Sequence, residues 1–264
     1  MRQAASASEI EACQRLRYRV FYEELGASAA GSAARNQIDS DRFDAICDHL
    51  VVVQAGEPHA PGAITLADGE LIGTYRLLRQ EVAEANGGFY SEGEFDIAPL
   101  IRAHPEHRFL ELGRSCVLRP FRTKPVVELL WQGIWNYVRA HDMHVMLGCA
   151  SLEGIDPEAH ALALSFLAQA SPPPEWNVRA LPDRRIEMQR IPAAGIDPRR
   201  ALKDLPPLIK GYLRLGCYIG DGAVIDHQFN TIDVLIILPV SAINARYFAH
   251  FGQPGATGPQ VHRT

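Results

Sequence analysis

Between Phe109 and Ser151 the hydrophobic pattern changes period twice, and the rest of the chain is organised around that stretch. Phe109–Leu118 has a β-type composition, and Thr123 and Pro125 stand where a helix would begin. From there Val127, Leu130, Trp131, Ile134 and Val138 recur at helical spacing, an apolar stripe that must pack on a sheet. Val145–Cys149 is a short apolar run of the kind expected of a strand buried on both faces. Together they predict a β-α-β unit.

The same reading extends to both ends of the chain. Ser8–Leu25 predicts a first helix, with Ser8 as N-cap and Glu11 completing a capping box. Ile10, Cys13, Leu16, Val20 and Phe21 form its stripe, and Arg15 and Arg17 read as solvated helix charges. Gly26–Asn36 reads as a mobile loop, and Leu50–Gln54 and Glu70–Leu78 as paired strands. Phe89–Asp96 reads as a further strand or extended segment, followed by a short helix around Ile97–Ala103. Later elements are a helix from Pro157 to about Ala170, a strand Arg185–Ile191, a helix Pro206–Leu215 and a last strand Thr231–Leu238. With no repeat and no linker, residues 1–250 form one α/β domain with a mixed sheet, and the Gly/Pro-rich 251–264 is expected to be a disordered tail.

Composition narrows the function classes. A hydrophobic content of 47% and a charged content of 22% are those of a soluble globular protein. A formal net charge of -5 argues against a nucleic-acid binder that works through a global basic field. The five cysteines are scattered and form no C-x-x-C, which favours a reducing cytoplasm and buried thiols over disulfides or zinc. No apolar run approaches the ~18 residues of a membrane span, and no secretory h-region is present. Peripheral contact with a membrane is compatible with this pattern.

Signatures of the commoner chemistries are missing: no G-x-G-x-x-G after a strand, no Walker loop, no G-x-S-x-G, no H-E-x-x-H. Ser115 and Cys116 read as packed strand residues, and His141 and His144 as partners of a helix C-terminus. More informative are Glu111 and Arg114, which a regular strand would point to opposite faces. Gly113 lies between them, and a bulge there would bring both charges to one face and splay the strand from its neighbour. The pair is then either a site or a plain ion pair. The acidic run Asp39–Asp44 is either turn chemistry or a holder for a cationic substrate. After the strand, Arg119, Arg122 and Lys124 surround a helix N-terminus, a place suited to a phosphate-bearing donor.

These segments resemble the central unit of the GNAT acyltransferase superfamily, and within it the ornithine N-acyltransferases of ornithine-lipid synthesis, relatives of the acyl-homoserine-lactone synthases. The resembling stretches are LRYRVFYE (Leu16–Glu23), Asp41–Asp44 with Cys47–Val52, GTYRLL (Gly73–Leu78), Phe89–Asp96, ELGRSCV (Glu111–Val117), GCASLEG (Gly148–Gly154) and Lys210–Val240. The resemblance implies a GNAT-like fold with a splayed, bulged central strand flanked by helices. It also implies that Asp41, Asp44, Arg76, Glu111 and Arg114, with Arg19 as a further match, line the site.

Where the superfamily carries its coenzyme-A loop, this chain has Arg119-Pro-Phe-Arg122-Thr-Lys124, with cations in place of small residues. That suits an acyl group carried as a phosphopantetheine thioester on the acidic acyl carrier protein, with no other cofactor and no metal. Leu25-Gly26-Ala27 stands where the lactone synthases have a tryptophan. The implied reaction is transfer of a 3-hydroxyfatty acyl group from acyl carrier protein to the α-amine of L-ornithine. In it Glu111 takes a proton with Arg114 holding it, Asp41 and Asp44 bind ammonium groups, and Arg76 or Arg114 binds the carboxylate. The rival readings are an N-acyltransferase for another amino acid, a homoserine-lactone synthase, and a non-catalytic acyl-chain or carrier-protein binding module.

Overall fold

A computed structural model describes residues 1–29, 31–56 and 62–243. Eight strands, numbered along the chain, build most of its sheet: β1 (Arg2–Gln3), β2 (Asp48–Gln54), β3 (Gly69–Arg79), β4 (Phe109–Val117), β5 (Val145–Glu153), β6 (Arg185–Ile186), β7 (Ala223–Asp226) and β8 (Thr231–Pro239). In space they run β1-β2-β3-β4-β5-β8-β7-β6, with Thr65–Leu66 added to β3 and Tyr218–Ile219 to β8. Neighbours are antiparallel except at the centre, where β4 and β5 are parallel.

The longer helices are α1 (Ala7–Tyr18), α2 (Lys124–Ala140), α3 (Ala161–Ala168) and α4 (Pro207–Leu215), with shorter helices and turns between. On one face of the sheet Leu110, Leu112, Met146, Val234 and Ile236 pack with Leu130 and Ile134 of α2, Leu164 of α3 and Ile209 and Tyr212 of α4. On the other, Phe109, Val145, Leu147, Leu235 and Ile237 pack with Phe89, Phe95 and Leu100. Beside them Leu16 and Cys13 of α1 cover Val51, Leu71 and Cys116. Each such side chain contributes about 1.5–3 kcal/mol by leaving water.

Two irregularities at the centre shape the site. β4 and β5 pair only over Phe109–Glu111 and Val145–Leu147, and then part. They part immediately after a close approach at Gly148, where a Cβ would stand 2.2 Å from the carbonyl oxygen of Leu112. The second irregularity is the bulge. Thr74 opposes Cys116 and Arg76 opposes Gly113, so Tyr75 faces two residues, Arg114 and Ser115. The strained residue is therefore Arg114, at φ 51°, and not Gly113 as the sequence predicts. Its effect is the expected one. Before the bulge the odd residue Phe109 faces the α1 side, and after it the even residue Cys116 does. Glu111 and Arg114 thus share a face.

Other expectations are corrected. Ser6, not Ser8, caps α1 by accepting from the Glu9 amide, and after Tyr18 the helix widens into a π-turn, Arg19–Glu24. Val127 is exposed, outside the buried stripe of α2. The loop Gly26–Asn36 contains a short helix, Gly31–Asn36. Phe89–Asp96 is a 3-10 turn, Tyr90–Gly93, with two strand residues, Phe95–Asp96, because Glu111 accepts from two successive amides there. The helix after Pro157 starts only at Ala161, and the strand at Arg185 ends at Ile186. All five cysteines are free. The 251–264 tail lies outside the described residues.

Candidate active site

Three arginines and three aspartates meet on the α1 face. Arg17, read from sequence as solvated, is only 1% exposed. Its Nε reaches Asp39 Oδ2 at 2.7 Å, and Nη1 and Nη2 each reach an oxygen of Asp44 at 2.8 Å. Such a two-pronged contact is what the planar guanidinium favours, and it makes burial of the charge tolerable. Arg76 of β3 joins through Nη1 to Asp41 Oδ1 at 2.7 Å and Asp44 Oδ1 at 3.1 Å. Arg114 adds Nη2 to Asp41 Oδ2 at 3.3 Å and Nε to Asp39 Oδ2 at 3.4 Å.

Asp44 also accepts from Gln14 Nε2 and from the Asp41 amide, so five donors converge on its two oxygens. Burial alone would raise its pKa. The bonds and charge of Arg17, with Arg76, outweigh burial and hold the carboxyl well below the usual range. Asp41 is more open, its side chain being 24% exposed.

Glu111 and Arg114 share the face but do not pair. The Glu111 carboxylate is instead held by the Tyr90 amide at 2.9 Å, the Ser91 amide at 2.7 Å and the Ser91 hydroxyl at 2.6 Å. The expectation that Arg114 holds Glu111 is thereby corrected. The 3-10 turn does so, and Arg114 lies 4.7 Å over the Tyr90 ring and 4.4 Å over Phe229. Burial nevertheless raises the pKa of Glu111 from its ordinary value, against its hydrogen bonds. Beyond Ser91 the row continues to Cys149 of β5 and to Glu94, neither of which the sequence singles out for chemistry.

The remaining predicted residues lie apart from this cluster. Arg19 bonds the Gly62 carbonyl at the surface. Arg122 is committed to the Val117 carbonyl at 2.9 Å and to Glu24 at 2.6 Å. Lys124 is exposed and stands 3.4 Å from Glu128, while Arg119 is exposed in the 3-10 turn before α2. Lys124, Pro125 and the unused amides of the first turn of α2 open beside the end of β4, where an anionic group would be favoured.

The domain family described as the acetyltransferase (GNAT) domain matches residues 16–132. The L-ornithine N(alpha)-acyltransferase of Agrobacterium fabrum (strain C58) is 52% identical over 252 residues, covering 95% of this chain and 84% of that protein. The chain belongs to the L-ornithine N(alpha)-acyltransferase family. Its namesake in Brucella abortus (strain 2308) is 50% identical over 96% of this chain and 88% of its own length. Among solved structures, FeeM, an N-acyl amino acid synthase from uncultured soil microbes, superimposes with a TM-score of 0.51 at 12% identity, covering 94% of this chain and 96% of its own. That likeness concerns the fold alone, the mixed α/β GNAT architecture.

In this ornithine acyltransferase-family chain, Arg17, Ser91, Glu94, Cys149 and Phe229 join the candidate site, and all but Arg17 do so without a mark in the sequence pattern that sets them apart. Asp39 stands in the acidic run that reads as turn chemistry or as a holder for a cationic substrate, and Glu94 in a segment that reads as extended. Arg17 carried a usable signal, since it lies within the apolar stripe beside Leu16.

Proposed function

We propose that this chain transfers a 3-hydroxyfatty acyl group from the phosphopantetheine thioester of acyl carrier protein to the α-amine of L-ornithine, giving lyso-ornithine lipid, the first step of ornithine-lipid biosynthesis. The identity of about half the residues over nearly the whole chain carries the choice of acceptor. The divergence of β4 and β5 supports the chemistry. Past Leu112 the β5-facing edge of β4 has no strand partner among the described residues, so an extended thioester arm can lie along it and bond its amides. Those amides, aimed where negative charge develops, form the oxyanion site.

An α-amine is mostly protonated at neutral pH, so a proton must leave before attack. Glu111 is fixed on the same face of β4 and takes it. Asp41, partly open and with Oδ2 in a single long contact, receives the side-chain ammonium, and Arg114 receives the carboxylate. Asp44 orders these groups and is not itself a ligand, because its oxygens are filled. Arg119 and Lys124, exposed beside the start of α2, meet the acidic carrier protein. Among the described residues no helix is long and apolar enough to cross a membrane.

The test is acyl transfer by the purified protein from acyl carrier protein and, separately, acyl-coenzyme A to a panel of amino acids, read by mass spectrometry. Acylornithine as the dominant product with the carrier-protein donor is the expected result. Equal rates with coenzyme A would remove the carrier from the proposal, and a preference for another amino acid would replace the acceptor.

A further inference from the structure

We propose that the proton released in each turnover leaves the active site along a hydrogen-bonded row, Glu111–Ser91–Cys149–Glu94, with Glu94 the carboxylate that stores it and passes it to solvent. This rests on the acyl-transfer reading above. Overall, acylation of an ammonium group by a thioester proceeds through its deprotonated amine, forms a C–N bond and breaks a C–S bond. One nitrogen-bound proton goes to the departing sulfur, and one more proton must go to water. Glu111 is buried, at 5% exposed, so a proton it accepts needs a path.

The path is present in side-chain atoms. Ser91 Oγ is 2.6 Å from Glu111 Oε1, Cys149 Sγ is 3.4 Å from Ser91 Oγ, and the same sulfur is 3.3 Å from Glu94 Oε2. Cys149 reaches this place because it lies two residues beyond Leu147, the partner of Glu111, and so on the same face of β5. Its single thiol proton can point to Glu94 or to Ser91, and these are the two end states of a relay. Before transfer the order is Glu111–H to Ser91 oxygen, Ser91 O–H to sulfur, and sulfur S–H to Glu94. After transfer Ser91 donates to Glu111, Cys149 to Ser91, and Glu94 carries the proton.

The charges around Glu94 suit a temporary store. It faces Asp233 and Asp226 from β8 and β7, the thiol of Cys149 from β5, and Arg184, whose Nη2 lies 3.7 Å away. Asp226 is occupied by the amides of Gln228 and Phe229, and Asp233 by the Thr231 hydroxyl. Burial first, and then Asp233, raise Glu94 to about 7, where a carboxylate both accepts and releases a proton near neutral pH. Arg184 is 39% exposed and marks the side from which water reaches the store. Glu111, by comparison, faces Arg76 and is pinned by three donors.

The experiment compares the parent with Glu94→Gln, Cys149→Ser and Cys149→Ala, using acylation of ornithine across pH 5–9 and an infrared pH titration of the protein alone. In the parent, kcat/KM rises with pH through about 7 as Glu94 loses its proton, and a carboxylic-acid band disappears over the same range. Glu94→Gln loses that band and that limb, with a fall of about a hundredfold in kcat, the low end of an acid–base contribution. Cys149→Ser, whose hydroxyl passes a proton, keeps the limb, while Cys149→Ala behaves like Glu94→Gln. The relay is overturned by a Glu94→Gln profile that keeps the parent limb, or by Cys149→Ala with parent kcat. A parent that prefers another amine removes the ornithine assignment, and the same four-protein comparison with that amine still decides the relay.

Discussion

The buried charge network separates two roles that the sequence assigned jointly to Asp41 and Asp44. Replacing Asp44 by Asn removes one negative charge from under Arg17 and turns an amide N–H₂ toward guanidinium nitrogens that now stand 2.8 Å from carboxylate oxygens. Arg17 is 1% exposed and keeps only Asp39 as a charged partner. Breaking one side of a buried pair costs about 3–5 kcal/mol. For a chain of this size each kcal/mol moves the melting temperature by roughly 2–4 °C, so a drop of about 6–20 °C is expected. Asp44 holds its charge far below the ordinary range in the folded state, so its contribution is complete above about pH 4 and is lost as pH falls below that. The Asn variant should therefore show a flatter acid limb of stability than the parent. Catalytic preference should not change, because Asp44 has no lone pair left for a substrate. Asp41→Asn is the opposite case, with a smaller loss of stability and a fall of ten- to a hundredfold in the ornithine-to-glutamine ratio of kcat/KM, the worth of one charge-assisted hydrogen bond of about 1.5–3 kcal/mol. Thermal melts and the two-substrate ratio, measured on both variants, decide it. An Asp44→Asn protein that melts within a degree or two of the parent but loses its ornithine preference would refute the division of roles.

Three further outcomes follow from the site. Glu111→Gln should keep the fold and lose about 10²–10⁴ in kcat, as expected for a lost proton acceptor, and a parent-like rate across pH would remove it from the mechanism. Charge reversal at Arg119 and Lys124 should raise KM for acyl carrier protein and flatten its salt dependence without altering stability, whereas Arg122 is unsuitable for this test because it also ties Val117 to Glu24. Gly148→Ala should lower the denaturant midpoint, by about 1–3 kcal/mol of overpacking, because its Cβ meets the Leu112 carbonyl at 2.2 Å, and a parent-like midpoint would mean that β5 can shift there freely.

Elements with a clean period were legible in the sequence. The first strand of the β-α-β unit and the start of its helix, the helix Pro207–Leu215 and the strand Thr231–Pro239 fall within a residue or two of their pattern, whereas β5 runs on to Glu153, four residues past its apolar run. What periodicity cannot show is the partner of a charge. Arg17 reads as solvated because Asp39 and Asp44 lie 22 and 27 residues away, in a loop that only the fold brings under α1. The bulge was expected at Gly113, since glycine is the usual marker. It falls on Arg114, whose left-handed backbone is costly for a side chain and persists because its guanidinium is clamped between Tyr90, Phe229 and two aspartates. In Phe89–Asp96 strict alternation would place Glu92, Glu94 and Asp96 together. The 3-10 turn instead buries Glu94 and leaves Asp96 exposed.

Tyr90 connects the two populations of charge. Its ring lies under Arg114 and Arg76, at 4.7 and 5.6 Å, and edge-on to Phe43. Its amide holds Glu111 Oε2. On one side of it Arg17, Arg76 and Arg114 balance Asp39, Asp41 and Asp44, so that frame is formally neutral, with Asp44 held as a carboxylate by Arg17 and Arg76. On the other side Glu94, Asp226 and Asp233 cluster beside Arg184, and burial together with Asp233 raises Glu94 to about 7. A fixed frame is what positioning a doubly charged amino acid demands, since a side chain that changes protonation would change its affinity through the cycle. A soft carboxylate is what proton removal demands. Keeping both within one site works only if they are separated, and the 3-10 turn that carries Tyr90 and Ser91 is the separator. It fixes Glu111 against the neutral frame through a backbone amide, and gives it through the Ser91 hydroxyl a way out toward the acidic side.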